Sequence, residues 1–184
     1  MTDIEPILVG PDYRIRPLVE NDRDSLFLVA RDPLIWEQHP ARTRHQRNVF
    51  DDYFTSLTAT PGSVGFEVKQ SGRLVGCSRF YRAPDAPDEW AISFTFIERA
   101  LWGGAANFAL KTMMLDHLFT TEARVWFHID KNNIRSQKGT AKLGAVPAGD
   151  CWGDPLGTGQ MQHFLSFVLS RRDWERVKSD GPAS

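Results

Sequence analysis

From residue 90 onward the chain changes its hydrophobic period twice. In "WAISFTFI", Trp90, Ile92, Phe94 and Phe96 alternate with Ala91, Ser93 and Thr95, a period of two that predicts a strand. After "RALWGG", Ala106, Leu110, Met114 and Leu118 recur every fourth residue with Met113 beside them, which predicts a helix ending near Thr120. The alternation returns in "RVWFHID", with Val125, Phe127 and Ile129 on one face and Trp126, His128 and Asp130 on the other. A second helix is predicted over 134–143, opened by Asn133 as N-cap and stopped by Gly144, although Gly139 inside it costs roughly 1 kcal/mol relative to alanine. The loop "AVPAGDCWGDPLGTG" then leads to a last strand, "QMQHFLSFVLS", and a short helix around Asp173 and Trp174.

The first half is less regular. "YRIRPL" reads as a short strand, followed by a helix from Glu20 to Ala30 that Asp32-Pro33 breaks. From "IWEQHP" to Thr60 the pattern is helical but interrupted, with Val49, Phe50, Tyr53, Phe54 and Leu57 forming an apolar face. "VGFEVKQ" and "RLVGCSRFYR", joined at Ser71-Gly72, read as a hairpin, and the loop "APDAPDE" leads to the strand at Trp90. The sum is a mixed α/β layout with no repeat or low-complexity segment.

Composition narrows the class. At 184 residues the chain suits one domain, expected over 1–178 with a frayed tail at 179–184. Its 22 basic and 23 acidic residues nearly cancel, so no footprint for nucleic acid or an anionic membrane is expected, and Arg42, Arg44 and Arg47 cluster only locally. Cys77 and Cys151 do not make a disulfide framework. The start "MTDIEPILVG" lacks a leader pattern and no run approaches 18 apolar residues, so a cytoplasmic protein is expected.

Two adjacent glycines between a strand and a helix invite several readings. A phosphate-binding loop of the Gly-x-x-x-x-Gly-Lys-Ser/Thr type fails, because Lys111 and Thr112 lack the second glycine. A dinucleotide fingerprint fails because no glycine follows Gly104 at the right spacing. What remains is either a tight turn or a short anion cradle, in which Gly103, Gly104, Ala105 and Ala106 let a pyrophosphate approach the amides of a helix start. No metal is expected: the five histidines show no paired spacing, and Asp130-Lys131-Asn132 starts like a calcium loop but puts Ile134 and Arg135 where ligands and glycine are needed.

The glycine turn together with "FHIDKNNIRSQKGTAKLGA" resembles the GNAT superfamily of acetyl-CoA-dependent N-acetyltransferases. Within it, "TFIERALWGG", Asn133-Ile134-Arg135-Ser136-Gln137 and "KLGA" resemble the branch that includes ribosomal-protein N-terminal acetyltransferases, as do "IWEQHP" and "RRDWERVK". The resemblance implies one α/β (α+β) domain with a mostly antiparallel sheet, splayed at the acetyl-CoA site and flanked by helices. It implies that the backbone of Phe96 and Ile97 pairs with pantetheine, and that the amides of Gly103, Gly104, Ala105, Ala106 and Asn107 hold the pyrophosphate. Asn133 and Ser136 would face the thioester, Ser136 protonating the departing thiolate, with Arg135 either at the coenzyme phosphates or solvated. Trp36, His39 and Phe50 would line the acceptor pocket or simply pack as core, and His128 is a further candidate there and a second candidate base.

The chain has Ala91-Ile92-Ser93 where related proteins carry Glu-Ile-Gly, so the acid beside the amine is missing. Glu89, on the same strand face as Ala91, is then the expected base. The implied reaction is direct transfer of acetyl from the thioester to a primary amine, on a protein N-terminus or a small molecule. Loss of polar groups at Ala91 and Ala109 keeps an alternative open: a coenzyme A-binding module of the same fold without transfer activity.

Overall fold

The computed structural model describes residues 2–180; the expected tail falls outside them from residue 181 on, while Ser179 and Asp180 are still helical. Eight strands form one sheet: β1 (Leu8–Val9), β2 (Tyr13–Pro17), β3 (Ser63–Val68), β4 (Leu74–Ala83), β5 (Ala86–Ile97), β6 (Arg124–Ile129), β7 (Val146–Gly153) and β8 (Gln162–Ser170). Their spatial order is β1-β2-β3-β4-β5-β6-β8-β7, and every neighbouring pair is antiparallel except β5 and β6. Five helices cover it: α1 (Arg23–Ala30), α2 (Arg47–Thr58), α3 (Ala105–Leu118), α4 (Ile134–Ala141) and α5 (Arg171–Asp180). None is long and apolar enough to cross a membrane, among the described residues.

Two apolar layers hold the sheet. On one, Leu110, Met114, Leu115 and Leu118 of α3 pack with Val125, Phe127 and Ile129 of β6, as the alternation predicts, and with Trp174 of α5. Trp174 is fully buried and its Nε1–H donates to Asp116 at 2.7 Å, which fastens α5 to α3. On the other, Leu26 of α1 and Phe50, Phe54 and Leu57 of α2 pack with Leu74, Cys77 and Phe96.

Three local readings of the sequence change. The "APDAPDE" loop is a tight hairpin, with Ala83 opposite Ala86, so β5 starts four residues before Trp90. Residues 146–153, expected as loop, form an edge strand against β8 alone. Its side chains are mostly exposed, and Pro147 is tolerated because an edge strand leaves one row of amides unpaired. The alternation in β5 also breaks in the middle. Cys77 pairs with Phe96 but Arg79 with Ser93, so β5 carries an extra residue there, and Phe94 takes a φ of 54°. Trp90 and Ile92 consequently join the α3 layer, with Ile97 beyond the bulge, while Phe94 and Phe96 join the α1–α2 layer, instead of Trp90, Ile92, Phe94 and Phe96 all sharing one face.

Candidate active site

β5 and β6 pair only at Trp90 with Val125 and at Ala91 with Trp126; beyond that point the strands part. The gap is a cleft of about 300 Å³, lined by the bulge residues Phe94 and Thr95, by Gly103 and Asn107, and by Asn133 and Ser136. Parallel neighbours that separate leave one row of β5 backbone groups without a ladder partner, which makes the gap a site for an extended ligand. The bulge is what turns consecutive side chains of β5 toward both sides of it.

The backbone expectation needs correction for Phe96 and leaves the cleft edge to Ile97. A Cβ on Gly76 would lie 2.1 Å from the Phe96 carbonyl, so that carbonyl faces β4 and not the cleft. Successive strand residues aim their polar groups at opposite edges, which gives the cleft edge to Ile97. The Ile97 carbonyl, however, already accepts the indole N–H of Trp102 at 3.2 Å. Phe96 instead contributes its ring, packed 5.0 Å from Trp36.

The glycine turn has the form of an open cradle. Gly103 takes a φ of 72°, which disfavours any side chain, and a Cβ there would meet nothing within 4 Å. Gly104 is the N-cap of α3, extended and with no side-chain capping bond, so the first amides of the helix have no partner. Ala106 turns its methyl into the core and leaves its amide to the turn, while Ala105 is exposed. Small residues and bare amides at a helix start suit an anion such as a pyrophosphate.

Across the cleft, Asn133 caps α4 as expected: its Oδ1 accepts the Ser136 N–H at 3.1 Å. That bond fixes the amide, and Ser136 Oγ makes no hydrogen bond among the described residues, so a free hydroxyl lines the cleft. Arg135 also lines it, but its guanidinium donates to the Ile35 carbonyl at 2.9 Å and lies 4.0 Å over Trp102. One of its five N–H donors thus holds a wall of the cleft in place.

The acceptor side is partly as expected. Trp36 and His39 line the cleft; Phe50 does not, being fully buried against Phe27 and Phe54. Burial, reinforced by Arg44, pushes His39 down to about 3, so it stays neutral and is too weak a base to take a proton near pH 7. His128 lines the cleft with both ring nitrogens engaged. Tyr81 Oη lies 2.7 Å from Nδ1 and Asp85 Oδ1 2.9 Å from Nε2, with Ser166 donating to the other Asp85 oxygen at 2.6 Å. One tautomer satisfies the set: Nε2–H donates to Asp85 and Nδ1 accepts from Tyr81. Burial lowers the His128 pKa against the pull of Asp85, and the ring is a braced wall. Glu89 is tied to Arg124 and to the Trp126 indole N–H. It does not line the cleft, because five residues along a strand separate it from Phe94, about 16 Å. The expected base is thus out of reach.

Sequence reasoning missed two basic residues that enter the same cleft, Arg44 and Lys111. Lys111 follows Asn107 by four positions on α3 and so shares the cradle face, a spacing that would have found it. Burial holds its amine down to about 7.

Residues 13–146 match a family model described as an acetyltransferase (GNAT) domain. No curated protein matches the chain significantly. Among solved structures, a GCN5-related N-acetyltransferase from Brucella melitensis is 16% identical with a TM-score of 0.77, over 95% of this chain and 83% of that one. RimJ of Mycobacterium smegmatis, in complex with CoA-disulfide, is 18% identical with a TM-score of 0.69, over 100% and 99%. A probable GNAT-family acetyltransferase from Chromobacterium violaceum reaches a TM-score of 0.78 at 17% identity, over 95% and 91%. At such identities the likeness is one of fold, and the family rests on the match over residues 13–146, which spans most of the chain. This chain belongs to the GNAT acetyltransferase family.

Proposed function

We propose that the protein transfers an acetyl group from acetyl-CoA directly to a primary amine, on a protein N-terminus or a small molecule. The observation that carries this reading is the parting of β5 and β6 beside the Phe94 bulge, which brings the open cradle and the free Ser136 hydroxyl to one cleft. The complex of Mycobacterium smegmatis RimJ with CoA-disulfide supports the same choice of ligand. The residues fit it. The amides of 103–107 take the pyrophosphate, the cleft edge of β5 takes the pantetheine, and Asn133 and Ser136 stand at the thioester. In the transfer, the amine nitrogen bonds to the carbonyl carbon and gives up a proton to water, the carbon–sulfur bond breaks, and Ser136 Oγ–H protonates the thiolate and is reprotonated from solvent. The N-terminal end of α4 favours the negative charge on that sulfur.

The amine needs no dedicated carboxylate if its own pKa is near 7.7–8.0, as for an α-amine, because about half is neutral at pH 8. A lysine side chain, near 10.4, would be almost wholly charged, so α-amines are the favoured acceptors. The test is acetyl transfer from acetyl-CoA to α-amine peptides, small amines and lysine side chains between pH 6 and 9. The expected result is faster transfer to α-amines, with a rate that rises through pH 8 and levels toward pH 9. Glu89→Gln is expected to leave this profile unchanged, since its carboxylate is bound to Arg124 and far from the bulge. Coenzyme binding without transfer to any amine would instead establish a binding module, and a profile shifted in Glu89→Gln would return that residue to the mechanism.

A further inference from the structure

Besides Arg135, two cations reach the cleft, from opposite layers, and neither meets a carboxylate among the described residues. Lys111 comes from α3 and is 8% exposed; its Nζ donates to Thr95 Oγ1 at 2.6 Å. Arg44 comes from the segment before α2 and is 9% exposed. Its guanidinium stacks 3.8 Å from the Tyr53 ring centre and 5.5 Å from that of Trp36, and its Nη1 lies 3.2 Å from His39 Nε2. No acidic side chain acts on either cation. The single carboxylate lining the cleft, Asp130, accepts the Asn132 N–H at 2.8 Å in its own turn. Both cations line the same cleft: Lys111 reaches it at Thr95, next to the bulge, and Arg44 at Tyr53 and Trp36, the latter packed on Phe96.

A buried guanidinium needs a counter-charge, which aromatic faces replace only in part, and the Lys111 amine, held down to about 7, takes up its charge fully when an anion comes beside it. Other cations near the sheet are tied up more fully: Arg16 pairs with Asp22 and Glu67, and the Arg79 guanidinium donates to the Leu57 carbonyl and Ser63 away from the cleft. Arg44 and Lys111 remain, beside the bulge to which the acyl end of a thioester would come. An acetyl group is small and apolar and brings them nothing.

We infer that the cleft accepts thioesters whose acyl chain ends in a carboxylate, a short dicarboxylic acid joined to coenzyme A through one end, with the free carboxylate held between Lys111 and Arg44. The inference rests on the coenzyme reading above. The chemistry is unchanged: the amine nitrogen bonds to the thioester carbonyl carbon and loses a proton, the carbon–sulfur bond breaks, and the thiolate gains a proton. The far carboxylate takes no part, and the acceptor exchanges an amine for an amide that carries an acid.

The experiment is calorimetric titration with coenzyme A, acetyl-CoA, propionyl-CoA and succinyl-CoA. Succinyl-CoA is expected to bind at least about 10-fold more tightly than propionyl-CoA, the neutral chain. In Lys111→Met, an apolar replacement of similar length, the ratio of succinyl-CoA to propionyl-CoA affinity is expected to fall to about one, whatever happens to the affinity for the coenzyme itself. Equal affinities for succinyl- and propionyl-CoA in the parent protein would overturn the inference and leave the coenzyme reading intact. Binding of none of the four would remove both, and the parent comparison decides even if the variant does not fold.

Discussion

Ala105→Asp is expected to abolish coenzyme A binding while leaving the protein as stable as before. Ala105 is the first residue of α3 and is exposed, next to the bare amides of the glycine turn. A carboxylate about 4 Å from a phosphate, at an effective dielectric of 20, costs on the order of 4 kcal/mol, which is about 10³-fold in affinity. The fold has no reason to suffer, because an acid in the first turn of a helix interacts favourably with the helix dipole. Calorimetry, a thermal melt and the neutral control Ala105→Asn separate charge from shape. Asparagine should retain most of the affinity. Unchanged coenzyme affinity in a folded Ala105→Asp protein would remove the pyrophosphate from this turn.

Ser136→Ala is expected to lower kcat by about 10²-fold with little change in coenzyme affinity or melting temperature. The hydroxyl lines the cleft and the capping bond at the start of α4 uses the Ser136 N–H, not its Oγ. Its removal therefore deletes no hydrogen bond from the folded state, which separates a catalytic role from a capping one. A donor that acts only as the thiolate leaves affects the transition state and not the bound ground state. Steady-state kinetics with a melt and a coenzyme titration read all three quantities. Full turnover in Ser136→Ala would take the proton donor elsewhere.

Much of this site is legible in the sequence, and the parts that are not have physical reasons. The glycine turn, the cap at Asn133 and the strand at Arg124–Ile129 depend on local signals, namely a break in period, a capping side chain and strict alternation. The splay itself is a failure to pair, and no residue type encodes it. The bulge at Phe94 is equally silent, since "SFTF" alternates perfectly while the backbone beneath inserts a residue. Reading through it placed Phe94 and Phe96 with Ile92, and the resemblance, blind to the same bulge, implied a cleft-facing Phe96 backbone that β4 already uses. The edge strand at residues 146–153 has no apolar alternation to read, because it buries almost nothing and owes its order to β8. Glu89 was legible as a same-face neighbour of Ala91, but alternation fixes a face and says nothing of distance along it. Arg44 and Lys111 escaped for the opposite reason: single charges in mixed segments read as solvated surface, and only the packing of two layers around the cleft buries them.

Coenzyme location is the measurement on which the reading turns. A crystal structure of the protein grown with coenzyme A is expected to show the pyrophosphate against the amides of residues 103–107, the pantetheine between β5 and β6, and the sulfur within hydrogen-bond distance of Ser136 Oγ. Coenzyme bound outside the β5–β6 gap, or a gap left empty at saturating coenzyme, would contradict it.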